Sequence, residues 1–176
     1  GTQRRRRPGL GAARFSGRRQ RPGFEVTSRV LQTRILGIDA GERRVGVAVS
    51  DQLRLLASPV CVLDRAGGLR PVLDALADMA QRGGVAQIVV GLPLNADGSA
   101  GQQARRAQDF ARVASRVLGL PVELWDERLS TQQAEDIVRA QGRPTRRVRQ
   151  RGQLDAIAAA VILQDYLDHS REHAGG

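Results

Sequence analysis

The sequence predicts an α/β fold with a mixed sheet, in which a β-hairpin comes first and strands alternate with helices after it. The hairpin is predicted by the apolar run at 35–38 and the alternating segment at 45–49, which flank a short turn that contains glycine. Farther along, the apolar strand patterns at 85–90 and 121–125 are each followed by a segment of helical periodicity. An antiparallel hairpin joined to strand–helix units gives a mixed sheet flanked by helices.

The remaining elements follow in order after the hairpin. A third strand is expected at 55–63, where Pro59 is best tolerated on an edge or at a bulge. Helical spacing predicts helices at 69–82, 102–118, 131–141 and 153–169. Glycines at 83–84 and at 119 end the first two helices, and Ser130 with Gln133 has the spacing of a capping box for the third. A chain of 176 residues suits one domain with a single core.

The positive charge is concentrated at the amino terminus. Of the net charge of +10, residues 1–34 hold ten Arg and one acid and so contribute +9, whereas residues 35–176 contribute only +1. We therefore expect residues 1–33 to form a disordered basic arm, which either grips phosphates nonspecifically or has no role. A folded domain is expected at 34–170, followed by a frayed tail at 171–176.

Cysteine content and hydropathy indicate a cytoplasmic protein without membrane association. Cys61 is the only cysteine, so a disulfide within the chain is impossible. The sequence has no run of 18 or more apolar residues of the kind that spans a bilayer.

Three acidic positions lie where the predicted elements meet one edge of the sheet. Asp39 ends the first strand, Asp126 or Glu127 ends the last strand, and Asp155 lies in the first turn of the last helix. With the first strand central, these acids can converge beyond the strand ends. Oxygen-only ligands select hard cations, so Mg²⁺ or Mn²⁺ is expected, with phosphodiester hydrolysis as the chemistry. Two of these acids also have an ordinary interpretation, Asp39 as a turn residue and Asp155 as a helix-dipole partner.

The densest basic segment of the folded region lies at 142–152, between the last two predicted helices. It contains five Arg and no acid, which indicates either a phosphate-contacting loop or a solvated linker. By charge and position, the candidate nucleic-acid contacts are Arg44, Arg128, Arg143, Arg146, Arg147, Arg149 and Arg151.

Four segments together resemble the YqgF family, also called RuvX. They read GIDAGERRVGVAVSD, VVGLPLNADGS, WDERLST and LDAIAAAVILQDYLD, and they occur in this order between residues 34 and 168. The resemblance implies a ribonuclease-H-like fold, with a five-stranded mixed sheet whose first three strands are antiparallel and which is flanked by helices. It also implies a nuclease acting on Holliday-junction-like branched DNA, on the 5′ end of pre-16S ribosomal RNA, or on both.

The same resemblance implies the site residues. The catalytic acids would be Asp39, Asp155 and a member of the pair Asp126 and Glu127. Strand alternation places the members of that pair on opposite sides, and we favour Glu127, so that the expected metal ligands are Asp39, Glu127 and Asp155.

The sequence is also compatible with two other functional classes. One is a noncatalytic nucleic-acid-binding factor in ribosome assembly or DNA repair. The other is a phosphotransferase of the sugar-kinase or actin-like type, which is disfavoured because such folds need a duplicated core. Monomer and homodimer are both compatible with the sequence, although a dimer would suit a four-way junction, which needs two cuts.

Overall fold

A computed structural model describes residues 33–141 and 151–175, including one five-stranded sheet. The strands are β1 (Arg34–Ala40), β2 (Arg44–Ser50), β3 (Ala57–Asp64), β4 (Val85–Leu92) and β5 (Val122–Asp126). Their spatial order is β3-β2-β1-β4-β5, with β1 antiparallel to β2, β2 antiparallel to β3, and the pairs β1–β4 and β4–β5 parallel. The predicted mixed sheet with three antiparallel strands first is confirmed.

The helices are α1 (Leu69–Gly83), α2 (Gln102–Leu118), α3 (Gln132–Ala140) and α4 (Arg151–Ala174). The first two end as predicted, because Gly84 and Gly119 adopt left-handed conformations with φ of 64° at the carboxyl caps. Helix α4 continues five residues beyond the predicted end at 169, so the segment expected to fray is helical as far as Ala174. None of the described helices is long and apolar enough to cross a membrane.

The alternation of β1 divides the core between the two faces of the sheet. Leu36 and Ile38 pack with Leu76 of α1 and Phe110 of α2 on one face. Ile35 packs with residues of α4 on the other face, and Gly37 and Asp39 follow it there by the two-residue period of a strand. Asp39 therefore lies on the α4 face.

Strand β3 is an edge strand that carries an irregularity at proline. Its register with β2 passes from Val47 opposite Cys61 to Ala48 opposite Pro59, which leaves Val60 as the extra residue. The prediction of a proline on an edge or at a bulge is confirmed, because an edge strand leaves one side of the ladder without a partner.

The amino-terminal cap of α3 differs from the expected capping box. The side chain of Thr131, and not that of Ser130, accepts the hydrogen bond from the backbone N–H of Ala134, at 3.2 Å. Ser130 instead caps the carboxyl end of a 3₁₀ turn at Glu127–Leu129, since its backbone N–H donates to the carbonyl of Glu127 at 3.1 Å. The short turn shifts the start of the helix by one residue.

Several predictions fall on residues outside the described ranges. These are residues 1–32 of the basic arm predicted at 1–33, and four of the arginine candidates, Arg143, Arg146, Arg147 and Arg149. Arg151 is described only as the first residue of α4.

Candidate active site

The position of Asp39 follows from the register of the two central strands and a glycine. Asp39 pairs with Gly46 of β2, and a Cβ atom at Gly46 would lie 1.9 Å from the backbone oxygen of Asp155. Only glycine lets the α4 backbone approach β2 so closely. The fold thereby brings Asp155 next to Asp39, although 116 positions separate them in the sequence.

A second glycine makes room for Glu127 on the other side of Asp39. Glu127 begins the 3₁₀ turn directly after β5, and its Oε1 atom lies 2.4 Å from where a Cβ at Gly91 would be. Gly91 follows Val90, the β4 partner of Ile38. Gly46 and Gly91 thus flank Asp39 on the two neighbouring strands, and each admits one acidic residue toward it.

Asp39 and Glu127 share the lining of a cavity of about 330 Å³. The rest of the wall comes from the start and face of α3 and from one face of α4. Its residues are Ser130, Glu135, Arg139, Leu154, Ile157, Ala158, Val161 and Ile162. The site is therefore a carboxylate pair beside a wall that is apolar where α4 forms it and polar where Ser130 and α3 form it.

Both carboxyl groups of this pair have raised pKa values. Burial, and then the charge of Asp155, raise the pKa of Asp39 to about 6. Burial, and then the charges of Asp39 and Asp126, raise the pKa of Glu127 to about 7. Among the described residues, no arginine or histidine forms an ion pair with either group. The two groups are thus partly desolvated and repel each other without compensation.

Asp126 has the opposite environment, although it precedes Glu127 directly. Its carboxylate accepts hydrogen bonds from Nε and Nη2 of Arg128, the shortest at 2.7 Å, and one from the backbone N–H of Arg128 at 3.0 Å. These bonds hold the pKa of Asp126 below its usual range, with the side-chain bond from Arg128 as the main cause.

Arg128 also braces the loop after β4. Its Nη1 donates to the carbonyls of Asn95 and Ala96 at 3.3 and 3.4 Å. Within that loop Gly98 has a φ of 85°, and Ser99 donates to Asp97 through both its backbone N–H and its hydroxyl. The guanidinium that the sequence suggested as a phosphate contact thus joins two loops at the edge of the sheet.

Asp155 is also compensated within the protein. Its Oδ2 lies 3.0 Å from Nε of Arg44, the first residue of β2. Arg44, a second candidate for phosphate contact, therefore orients an acid that adjoins Asp39.

Asp39, Glu127 and Asp155, the predicted metal ligands, lie near one another at the end of β1, and their role as ligands stays a prediction. Within residues 33–141 and 151–175, no three His, Cys, Asp or Glu side chains are grouped as metal ligands. The donors present nevertheless fit a hard cation, because Asp39 and Glu127 are oxygen ligands whose burial and mutual repulsion a divalent ion would relieve.

Sequence reasoning missed the wall of the cavity and the function of the glycines. Glu135, Arg139 and Leu154 carry no motif that marks them, and they reach the site only because α3 and α4 pack together. The glycines did carry a signal, since small residues at 37, 46 and 91 interrupt otherwise apolar strands.

Comparison with solved structures defines the class of the fold. The chain is similar to the RuvC protein of Thermus thermophilus in complex with a Holliday junction substrate, with a TM-score of 0.54 and 16% identity over 78% of this chain and 96% of that one. A second Thermus thermophilus RuvC structure gives a TM-score of 0.51. The fold is ribonuclease-H-like, of the kind found in RuvC.

Sequence comparison then identifies the family. The family model RuvX, described as Holliday junction resolvase, matches residues 33–169, and the chain belongs to this family. A relative from Anaeromyxobacter dehalogenans (strain 2CP-C) is 49% identical over 135 residues, which are 77% of this chain and 96% of the relative. Another from Pelotomaculum thermopropionicum is 40% identical over 146 residues, 81% of this chain and 94% of the relative. Both relatives bear the name "Putative pre-16S rRNA nuclease".

Proposed function

We propose that this protein is a metal-dependent nuclease that hydrolyses phosphodiester bonds in structured nucleic acid. The observation that carries the proposal is the pair Asp39 and Glu127, two desolvated carboxyl groups in one cavity with no described basic partner. Such a pair is costly to keep ionised unless a ligand supplies positive charge. The family's description and the relatives' names suggest two substrates, branched DNA and pre-16S ribosomal RNA, and in the latter we propose the 5′ end.

Asp39 and Glu127 are the residues that would hold Mg²⁺ or Mn²⁺, with Asp155 next to them. When bound, the metal would polarise the scissile phosphate and lower the pKa of an attacking water. The raised pKa values mean that each carboxyl group must lose its proton before it can act as a ligand.

The other residues of the site have supporting roles. Arg44 fixes the carboxylate of Asp155 beside Asp39 and keeps part of its charge from adding to the repulsion. Arg128 holds Asp126 away from the pair, so that Glu127 alone of these two neighbours points into the cavity. The apolar residues of α4 limit the access of bulk water to one side of the pair.

The proposal is tested by cleavage of two labelled substrates, a four-way DNA junction and a precursor ribosomal RNA 5′ segment, with Mn²⁺, Mg²⁺ or EDTA. We expect cutting by the wild type that requires metal and is lost in Asp39→Asn. The matched control is Asp78→Asn, which removes an exposed acid of α1 that pairs only with Arg82. The control should cleave like the wild type.

The preferred substrate would decide between recombination and ribosomal RNA processing. Binding of both substrates by the wild type without cleavage of either, where a nuclease control succeeds, would contradict the proposal. It would favour a noncatalytic nucleic-acid-binding factor instead.

A further inference from the structure

Most arginines on the described surface are neutralised by a nearby acid. On the helices, the ion pairs join residues three or four positions apart. They are Arg70–Asp74, Arg82–Asp78, Arg112–Asp109, Arg139–Glu135 and Arg171–Asp168. Such arginines contribute little net positive potential to the surface around them.

The turn between β1 and β2 is different. It begins two residues after Asp39, and the side chain of Arg65 holds it, since Nη1 of Arg65 donates to the carbonyl of Gly41 at 2.8 Å. The backbone N–H of Arg65 also donates to the carbonyl of Arg43 at 2.9 Å. From the other side, Arg106 of α2 reaches Glu42 of the same turn, at 3.7 Å.

Three arginines around this turn form no ion pair with any described acid. They are Arg43 on the turn itself, Arg65 beneath it, and Arg105 on the first turn of α2, next to Arg106. We call Arg43, Arg65 and Arg105 the turn arginines. Arg43 and Arg105 are exposed, and Arg65 is half-buried.

Three other described arginines also lack an ion pair, but they lie elsewhere: Arg34 at the start of β1, Arg54 bonded to the carbonyl of Thr33, and Arg116 in the last turn of α2. The turn arginines are the unpaired ones near the end of β1 that carries Asp39.

We propose that the turn arginines bind the phosphate backbone of the nucleic-acid strand next to the bond that is cut. This inference rests on the proposed nuclease function and adds to it the surface along which the substrate lies. Arginine suits the role because its planar donors match phosphate oxygens and its charge does not titrate. Because backbone phosphates carry no base identity, this contact positions the strand without reading its sequence.

The turn between β1 and β2 can also fix where a bound phosphate lies relative to Asp39. Arg65 ties it to the β3–α1 connection and Arg106 ties it to α2, so the turn is anchored on two sides. A phosphate held on such a turn would have a fixed distance to Asp39 along a short, ordered stretch of backbone.

The test measures binding as a function of salt in EDTA, where no cutting occurs, by fluorescence anisotropy of a labelled four-way DNA junction. The variant is the double substitution Arg43→Gln with Arg105→Gln, whose side chains make no described hydrogen bond or ion pair. The matched control is Arg112→Gln with Arg116→Gln, which removes the same charge from the opposite half of α2. Thermal unfolding checks that both variants are folded.

We expect the slope of log K against log salt to become less steep by about 1.4 to 1.8 in the turn variant, since two phosphate contacts are lost and each accounts for about 0.7 to 0.9. The control should change the slope by less than about 0.5. Replacing Arg43 and Arg105 with lysine should restore most of the slope, because the charge is kept.

The experiment distinguishes failure of the proposed nuclease function from failure of the proposed phosphate contacts. If the wild type does not bind the junction, nor a ribosomal RNA 5′ segment under the same conditions, the proposed function itself is contradicted. If the wild type binds and the turn variant has the same slope as the control, the turn arginines are not phosphate contacts, while the proposed function stands.

Discussion

Asp126 and Glu127 are neighbours in the chain, yet the fold gives their carboxyl groups opposite environments. Asp126 is held by the guanidinium of Arg128, and its pKa is lowered. Glu127 is buried against Gly91, and its pKa is raised to about 7. The difference arises because a 3₁₀ turn starts between them and sends the second side chain into the cavity.

The same contrast recurs on the central strands. Asp155 pairs with Arg44, whereas Asp39, which adjoins it, has no described cationic partner and has a pKa of about 6. Acids are therefore of two kinds at this edge of the sheet. We expect those that arginine compensates to support the structure, and those left uncompensated to be available to a ligand of positive charge.

The largest expected difference in cleavage is between substitutions of Glu127, an uncompensated acid, and Asp126, a compensated one. Glu127→Gln should lower kcat/KM for cleavage by roughly a thousandfold, because it removes a group that acts directly in the site. Asp126→Asn should lower it by about tenfold or less, because Asn keeps one acceptor for Arg128. Single-turnover kinetics of both variants on one substrate measure the difference, and equal losses would remove the distinction between the two acids.

A smaller but still large effect on stability and cleavage is expected from adding a side chain at Gly46, where the α4 backbone packs against β2. Gly46→Ala would place a Cβ 1.9 Å from the backbone oxygen of Asp155, so α4 must move. We expect a loss of about 1 to 3 kcal/mol in the free energy of unfolding and a loss of cleavage.

The matched control for this change is Gly67→Ala, since a Cβ there would meet only Pro71, at the ordinary distance of 3.6 Å. Urea unfolding of both variants measures the effect. Similar stabilities for the two would show that α4 is not held against β2 in the manner described.

Stability against pH should also separate the two kinds of acid. Folding raises the pKa of Asp39 from about 3.9 to about 6, so this group favours the folded state below pH 4 and loses that contribution as the pH rises through 6. Asparagine does not titrate, so Asp39→Asn does not lose this contribution. At pH 8 its free energy of unfolding should be higher than that of the wild type by up to about 3 kcal/mol.

Urea unfolding without metal, at pH 4 and at pH 8, measures this difference. The stabilities of wild type and variant should converge at the lower pH. A variant that is no more stable than the wild type at pH 8 would mean that Asp39 is not desolvated.

The smallest effect is expected at Arg128. Arg128→Lys keeps the charge but cannot bond both Asp126 oxygens and the two loop carbonyls at once, so cleavage should fall by about tenfold through displacement of Glu127. Cleavage by Arg128→Gln should fall by about the same factor as cleavage by Arg128→Lys. If Arg128 serves only these bonds within the protein, the salt dependence of binding should stay unchanged in both variants. A less steep slope would make Arg128 a phosphate contact, as the sequence predicts.

Much of the fold was predictable because local patterns and tertiary structure agree. The bounds of α2 follow from its periodicity and from Gly119, and the bulge in β3 follows from Pro59. The start of α3 was wrong by one residue, because Ser130 and Thr131 are both competent caps and the 3₁₀ turn at Glu127–Leu129 decides between them.

The site was less predictable than the fold. The sequence indicated which acids could meet, but it could not show that Arg44 and Arg128 are engaged with acids, since both partnerships depend on three-dimensional approach. For the same reason the turn arginines were overlooked. Arg43, Arg65 and Arg105 are unremarkable in the sequence and become a group only around the β1–β2 turn.

The most direct test of the account is whether a divalent cation stabilises the uncompensated pair. Thermal unfolding at pH 8 with and without Mn²⁺ should show a concentration-dependent rise in Tm for the wild type and for Asp126→Asn, because an ion that binds only the folded state stabilises it. The rise should vanish in Asp39→Asn and in Glu127→Gln. An equal rise in all four proteins would contradict the assignment of Asp39 and Glu127 as the metal ligands.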